Sequence, residues 1–383
     1  MCRLRELNRS KGNDIVVTPI SRSVAHALRS VLGLNGLNNR LDRIEEQLER
    51  LSATPRAFNG PDRTAATTFV AGLLPSGVTY QLNIDASGED PYHRALAAGV
   101  PQDPTWRFAM LWLRPGDIFF DLGANIGTFS IPAATIGARV YAFEMLAENI
   151  LYLERSIARG GLGNVVVIQG AVGDHHGIIG VSGKSAWGTT AHDAVVEVPT
   201  ISIDDYMLSR GISRVDLMKV DVEGSELPAL TGSVNLLSGC KPDVIIESNS
   251  FACGMHRYSY RAILGQLAAS GYQLYRIYRD RLCPWGVEMV QEIAVVDYVA
   301  TVKSHAEITE RSGALILPLS DEETIQNIIA TDRETDSHRA HVLAVAGNLP
   351  STVVGDSRVR GLLDRWSPLS SGDLFEIMRI GTA

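Results

Sequence analysis

"DLGANIG", residues 121–127, sits between the apolar run "IFF" (118–120) and the segment "TFSIPAATIGARVYAFE" (128–144). A strand-like stretch runs straight into two glycines four positions apart, and the next strand-like stretch, "RVYAFE", ends on Glu144. Glycine lacks a Cβ, so Gly123 and Gly127 permit a tight turn and close approach of a ligand to the backbone. In an open parallel sheet such a turn lies at the carboxyl end of the first strand, where ligands bind. Glycines in this spacing do not build the GxGxxG nest for a pyrophosphate, and Asp121 would repel one. A carboxylate there suits an ammonium-bearing ligand, and Glu144 can accept hydrogen bonds from both hydroxyls of a ribose. The turn therefore predicts an adenosine with a zwitterionic tail, S-adenosylmethionine. An NAD-type oxidoreductase is the rival reading, and a turn of simple strand–helix geometry the bland one.

Outward from this turn, strands and helices alternate. "DIFFDLG", "RVYAFE", "NVVVIQGAV", "DLMKVD" and "PDVIIES" read as strands separated by helical stretches. That alternation predicts an α/β fold with a mostly parallel sheet covered on both faces. "YQLYRI" and "QEIAVV" are joined by a short connection and are expected to pair antiparallel at one edge. Four segments result: residues 1–55, an N-terminal helix with a heptad seam; 56–110, an accessory β/α segment; 111–300, the catalytic domain; and 301–383, a helical extension in which Ser320 and Glu323 form a capping box. The seam is Leu34, Leu37, Leu41, Ile44, Leu48 and Leu51, which predicts a homo-oligomer through residues 34–51; a helix packed on its own domain is the alternative.

Bulk properties narrow the classes further. A net charge of −8 and the absence of a basic footprint argue against a nucleic-acid partner. The four dispersed cysteines form no CxxC pair, which disfavours zinc or a disulfide framework and fits a reducing cytoplasm. No long apolar run or signal-like N-terminus is present, so a span or secretory leader is not expected. The basic stretch "TPISRSVAHALRSVL" (18–32) leaves membrane contact peripheral at most.

"DLGANIGTFS", "VYAFE", "VVVIQGAVGD", "VPTISIDD", "DLMKVDVEGSE" and "PDVIIE", in that order, resemble the FkbM-type family of S-adenosylmethionine-dependent methyltransferases. "KVDVEGSE" is the most family-specific part, and the likeness covers about residues 110–300. The resemblance implies a Rossmann-like class I methyltransferase sheet and O-methylation of a sugar, glycan, glycolipid or glycosylated natural product. It also implies that Asp121, Gly123 and Asn125 line the methionine end, Glu144 the ribose, and Ala171 and Val172 the adenine. Met145 departs from the proline usual in the family.

Methyl transfer needs alignment and a group to accept the hydroxyl proton. Lys219, Asp221 and Glu223 cluster at the end of the fourth strand, and Glu247 interrupts "VIIESN". These four, with His192 in the insertion "KSAWGTTAHD", are the candidate catalytic residues; an ion pair that merely fixes the turn is the structural alternative for Lys219 and Asp221. Asp221, Glu247 and Asn249 offer oxygen ligands to a divalent metal, though spacing alone does not support one. His256 is a second loop base, and Trp187, Tyr258 and Tyr260 are candidate sugar-stacking rings. A non-catalytic scaffold that keeps the S-adenosylmethionine fold is the remaining rival. Light scattering tests the predicted oligomer: removing residues 1–55 should lower the solution mass, and an unchanged mass would reject the seam.

Overall fold

The chain enters the described region as an antiparallel ribbon, β1 (Thr67–Leu73) and β2 (Thr79–Asp85). The structure is a computed structural model describing residues 67–100, 102–182, 189–190, 196–249, 252–253, 256–285, 295–331, 339, 342–343 and 346–367. The heptad stretch 34–51, Trp187 and His192 lie outside these residues. Helices α1 (Pro91–Ala98) and α2 (Pro104–Trp112) each begin with proline after an aspartate. Asp90 and Asp103 accept N–H bonds from the first turns, the role for which a short carboxylate is favoured.

Strands and helices then alternate: β3 (Ile118–Leu122), α3 (Ser130–Ile136), β4 (Arg139–Glu144), α4 (Ala147–Gly160) and β5 (Val165–Gln169). The polar insertion makes its own small sheet of β6 (Ala171–Val172), β7 (Gly177–Ser182), β8 (Thr189–Thr190) and β9 (Val196–Ile201). Next come α5 (Ile203–Arg210), β10 (Leu217–Val220), α6 (Glu226–Thr231), α7 (Val234–Gly239), β11 (Asp243–Asn249) and α8 (Tyr260–Ala269). β12 (Gln273–Tyr278), β13 (Arg281–Pro284), β14 (Val295–Thr301), α9 (His305–Ser312) and β15 (Leu315–Ile316) complete the large sheet region. α10 (Asp321–Thr331), α11 (Ser351–Gly355) and α12 (Ser357–Trp366) follow.

The nine-stranded sheet has the order β15-β13-β12-β14-β11-β10-β3-β4-β5. β5, β4, β3, β10 and β11 are parallel. Because β4 and β5 lie to one side of β3 and β10 and β11 to the other, the order reverses between β3 and β10, the switch point of a Rossmann-like sheet. The strand period of two sends alternate side chains to opposite cores. Phe119, Val140, Ala142 and Ile245 enter one core, and Phe120, Tyr141, Phe143 and Ile246 the other.

β12 and β14 pair antiparallel as expected, but β14 is not at the edge. It inserts between β11 and β12, and the margin is made by β13, antiparallel to β12, and β15, parallel to β13. Tyr298, Val299 and Ala300 are all buried, which needs cover on both faces and a neighbour on each side. Residues 67–100, 102–110 and 301–316 share a core with the large sheet: Leu82, Trp106, Trp112 and Ile308 pack in the same cluster as Phe119 and Ala142. Further on, Ile328, Val353, Val359 and Trp366 form a separate cluster, with Arg281 of β13 pairing to Glu323 of α10 at 2.5 Å. The Ser320–Glu323 capping box is present. Among the described residues no helix is long and apolar enough to cross a membrane.

At the end of the sheet away from the glycine turn, Asp243 is a buried polar hub. Its carboxylate accepts from Trp112 Nε1 at 3.0 Å, Lys303 Nζ at 2.7 Å and the Thr301 hydroxyl, tying α2 to β11 and β14. Asp243→Ala strands an indole N–H and an ammonium, so stability should fall by about 3 kcal/mol or more, read by urea unfolding. A loss under about 1 kcal/mol would show that the hub is dispensable.

Candidate active site

Gly123 leaves β3 with φ of 80°, and a Cβ on it would lie 1.8 Å from the carbonyl oxygen of Asp221. Only glycine lets the exits of β3 and β10 pass this closely. The N–H groups of Gly123 and Ala124 both donate to Phe143 O, at 3.0 and 2.8 Å, joining the turn to the end of β4. Asn125, also left-handed with φ of 51°, donates its N–H to Glu144 Oε2 at 2.8 Å. Gly127 serves helix packing instead of ligand approach. A Cβ there would sit 2.6 Å from Leu153 Cδ1, and Gly127 does not border the cavity described next.

At the switch point a cavity of about 420 Å³ opens beyond the carboxyl ends of the strands. It brings together Gly123, Asn125, Glu144, Ala171 and Val172 with Lys219, Asp221, Glu223, Glu247 and Asn249. Asp121 is not among its walls. That side chain is fully buried, accepting the Ser130 hydroxyl at 2.6 Å and lying 3.9 Å from Lys219 Nζ. The expected contact of Asp121 with an ammonium tail is thus replaced by one with the protein's own ammonium. Burial pushes the Asp121 carboxyl up, against the pull of Lys219. At this turn Asp121 Oδ1 and Asn125 Oδ1 are buried without a hydrogen-bond partner, and of the two residues Asn125 borders the cavity.

Glu144, 6% exposed, is more heavily engaged than its position at a strand end implies. Oε1 accepts from Leu146 N at 2.8 Å and Asn149 Nδ2 at 3.3 Å, and Oε2 from Asn125 N. One lone-pair direction on Oε2 is left, enough to accept one further donor. Burial raises its pKa while the three N–H donors oppose the rise.

Lys219 is 5% exposed and donates to Asp221 Oδ2 at 2.9 Å, with the Phe129 ring centroid 4.9 Å away. Burial alone would lower its pKa; Asp221 and Asp121 reverse the sign and hold it above the ordinary lysine value. The ion-pair reading of Lys219 and Asp221 is therefore met, and both groups also border the cavity. Glu223 follows in a left-handed turn with φ of 51°, its carboxyl pushed up to about 7 by burial, then by Asp221 and Glu226. Glu247 stands directly across from Asp297 of β14, and burial with the charges of Asp221, Asp297 and Glu223 raises its pKa strongly. Asp297 is itself pushed up to about 6, by burial first, with Thr105 donating to it at 2.5 Å. Ligand oxygens of Asp221, Glu223 and Glu247 lie within 4.8 Å of one another, a spacing a divalent cation would accept. Carboxylates share that spacing without an ion, and the Lys219 ammonium already answers Asp221.

The acidic turn "DVEGSE" is braced from behind. Glu226, fully buried, accepts from Val222 N and Gly224 N at 3.2 and 3.0 Å. The Tyr258 hydroxyl lies 2.8 Å from Gly224 O and 3.0 Å from Glu226 Oε2. Tyr258 and Tyr260 are buried core residues and do not present faces to a sugar. His256 packs against Gly224, where a Cβ would come within 2.5 Å of its ring, and it does not border the cavity. Reasoning from the sequence missed the opposite wall: Tyr92, Leu96, Val100, Asp103 and Trp106 from α1, α2 and the link between them. Their one local signal is the Asp103 helix cap; nothing in the spacing aims them at a cleft.

Known proteins share part of this chain's sequence. Residues 121–274 match the methyltransferase FkbM domain. It is 30% identical over 135 residues to the hexuronic acid methyltransferase AglP of Haloferax volcanii, covering 34% of this chain and 55% of that relative. It is 29% identical over 162 residues to the 31-O-demethyl-FK506 methyltransferase FkbM of Streptomyces tacrolimicus, covering 31% of this chain and 60% of the relative. The chain thus spans little more than half the length of the curated relatives it matches. A solved methyltransferase FkbM from Methylobacillus flagellatus shares 18% identity over 48% of this chain and 43% of its own, with a TM-score of 0.34.

The raised pKa of Glu223 links stability to pH. Its folded value lies above the ordinary 4.5, so between about 4.5 and 7 the folded state holds the extra proton. Stability then falls as pH rises through that window. Glu223→Gln removes the effect, so the variant should gain on the parent by about 1 kcal/mol between pH 5 and 8, discounted from the full shift for partial solvent exposure. Parallel pH–stability curves for the two proteins would contradict this.

Proposed function

We propose that the chain is an S-adenosylmethionine-dependent O-methyltransferase whose acceptor is a hydroxyl of a sugar, glycan, glycolipid or glycosylated natural product. The observation that carries this reading is one cavity spanning the switch point, bordered by Gly123, Asn125 and Glu144 beside β3 and β4 and by the carboxylates of Asp221, Glu223 and Glu247 beside β10 and β11. The residues fit the cofactor: Asn125 Oδ1 is an unused acceptor for an amino group, Glu144 Oε2 has a place for one hydroxyl, and Gly123 leaves room for neither side chain nor clash. Among the relatives, one is named for a hexuronic acid and another for 31-O-demethyl-FK506, which supports a hydroxyl acceptor.

When bound, the cofactor supplies an activated methyl group for in-line displacement. The protein's work is alignment and proton handling. Glu223, poised near neutrality and bordering the cavity, accepts the hydroxyl proton. Asp221, held at 2.9 Å by the Lys219 ammonium, keeps the turn that carries Glu223 in place. The same reading includes a cytoplasmic setting and a homo-oligomer joined through residues 34–51.

Two variants separate the ends of the cavity. Glu144→Ala should weaken S-adenosylmethionine binding about tenfold or more in calorimetry, since it removes the acceptor of three N–H groups as well as a cofactor contact. Glu223→Gln should leave that affinity within about threefold and cut labelled-methyl transfer about a hundredfold. Undiminished affinity in Glu144→Ala, or a protein that binds NADH and not S-adenosylmethionine, would end this reading.

A further inference from the structure

We infer that the β11–β14 end of the cavity is an acceptor subsite that favours a sugar or similar polyol bearing an ammonium group and turns away one bearing a carboxylate. This rests on the methyltransferase reading and narrows its acceptor. Neighbouring strands stand about 4.8 Å apart, so the three steps from β4 to β11 put Glu144 and Glu247 about 14 Å from each other. The adenosine end and the acceptor end therefore lie on opposite sides of Gly123 and Asp221.

Charge and ring chemistry at that far end point the same way. The cavity there is bordered by Asp103, Asp221, Glu223 and Glu247. Among the described residues Lys219 is the one lysine or arginine bordering it, and its ammonium is committed to Asp221 and Asp121. Asp297 stands directly behind, across the strand pair from Glu247, an arrangement of like groups that an antiparallel pair normally avoids. Besides these carboxylates, the partly buried rings of Tyr92 and Phe129 border the cavity. Aromatic faces attract cations, and Phe129 already does so with Lys219 at 4.9 Å. An incoming carboxylate would add a like charge in a confined site, whereas an ammonium answers the surplus. Burial and neighbouring charges hold Glu247 toward its protonated form, so an arriving cation should release a proton.

The test uses the full-length protein loaded with S-adenosylhomocysteine. Methyl glucosaminide, methyl glucoside and methyl glucuronide are titrated by calorimetry at pH 7 and low salt. The glucosaminide should bind about tenfold tighter than the glucoside, the glucuronide weakest, and the glucosaminide signal should vary with buffer ionisation enthalpy as protons are released. In Glu247→Gln, or in Asp297→Asn if the first does not fold, the preference should shrink toward parity. Equal affinities, a glucuronide that binds best, no binding of any probe to the loaded protein, or a preference unchanged in the variants would each overturn the inference alone. Failure to bind S-adenosylhomocysteine would overturn the methyltransferase reading and this inference with it.

Discussion

Lys219 places a positive charge, 5% exposed, at the point where the strand order of the sheet reverses. A buried ammonium without partners would be driven to lose its proton or break the strand. It is answered from two sides, by Asp221 at 2.9 Å on its own strand's exit and by Asp121 at 3.9 Å on the neighbouring strand. Lys219 and Asp121 are direct register partners of β10 and β3, so this ion cluster ties the two strands at the level from which both functional turns depart. Ser130 holds the other oxygen of Asp121 and thereby connects the cluster to α3. The glycine turn can close over this arrangement because Gly123 has no Cβ to meet the Asp221 carbonyl.

The two ends of the cavity use carboxylates differently. Glu144 is nearly saturated by N–H donors and braces the β4 end of the cavity, with a single acceptor direction left. Glu223, Glu247 and Asp297 are crowded among carboxylates with one lysine nearby, and their pKa values rise, by burial first and then by charges that include Asp221. Such crowding destabilises a sheet and is found where a cleft uses the proton affinity it creates. Glu226 and Tyr258 show the opposite design: a buried carboxylate with its hydrogen bonds satisfied, which shapes the turn and takes no part in the cavity.

The wall opposite the strand ends comes from residues before the sheet. Trp106 packs in the core and donates its indole N–H to Thr128 O at 3.1 Å, while Asn83 N on β2 donates to Ser156 Oγ of α4 at 2.8 Å. These contacts draw the accessory segment onto the sheet's edge of the cleft. A hydrophobic helix such as "TWRFAMLWL" announces that it will be buried, and nothing in its period says against what.

Much of the fold was legible because it is local. Alternating apolar strands and amphipathic helices, glycine at the tight exit of β3 and the Ser320–Glu323 cap are set by covalent geometry and by neighbours within a few residues. Gly123, Asn125, Glu144, Lys219, Asp221, Glu223 and Glu247 were likewise readable as neighbours and border one cavity, because strand ends in a parallel sheet gather on one side. What needed the folded chain was partnership. Asp121 turns to Lys219 instead of a ligand, Glu144 uses most of its acceptor capacity on the backbone, β14 slips between β11 and β12, and Asp297 arrives opposite Glu247. A sequence states which groups carry charge and which surfaces are apolar, whereas long-range strand order decides who stands within hydrogen-bonding distance, and that distance sets what each group can do.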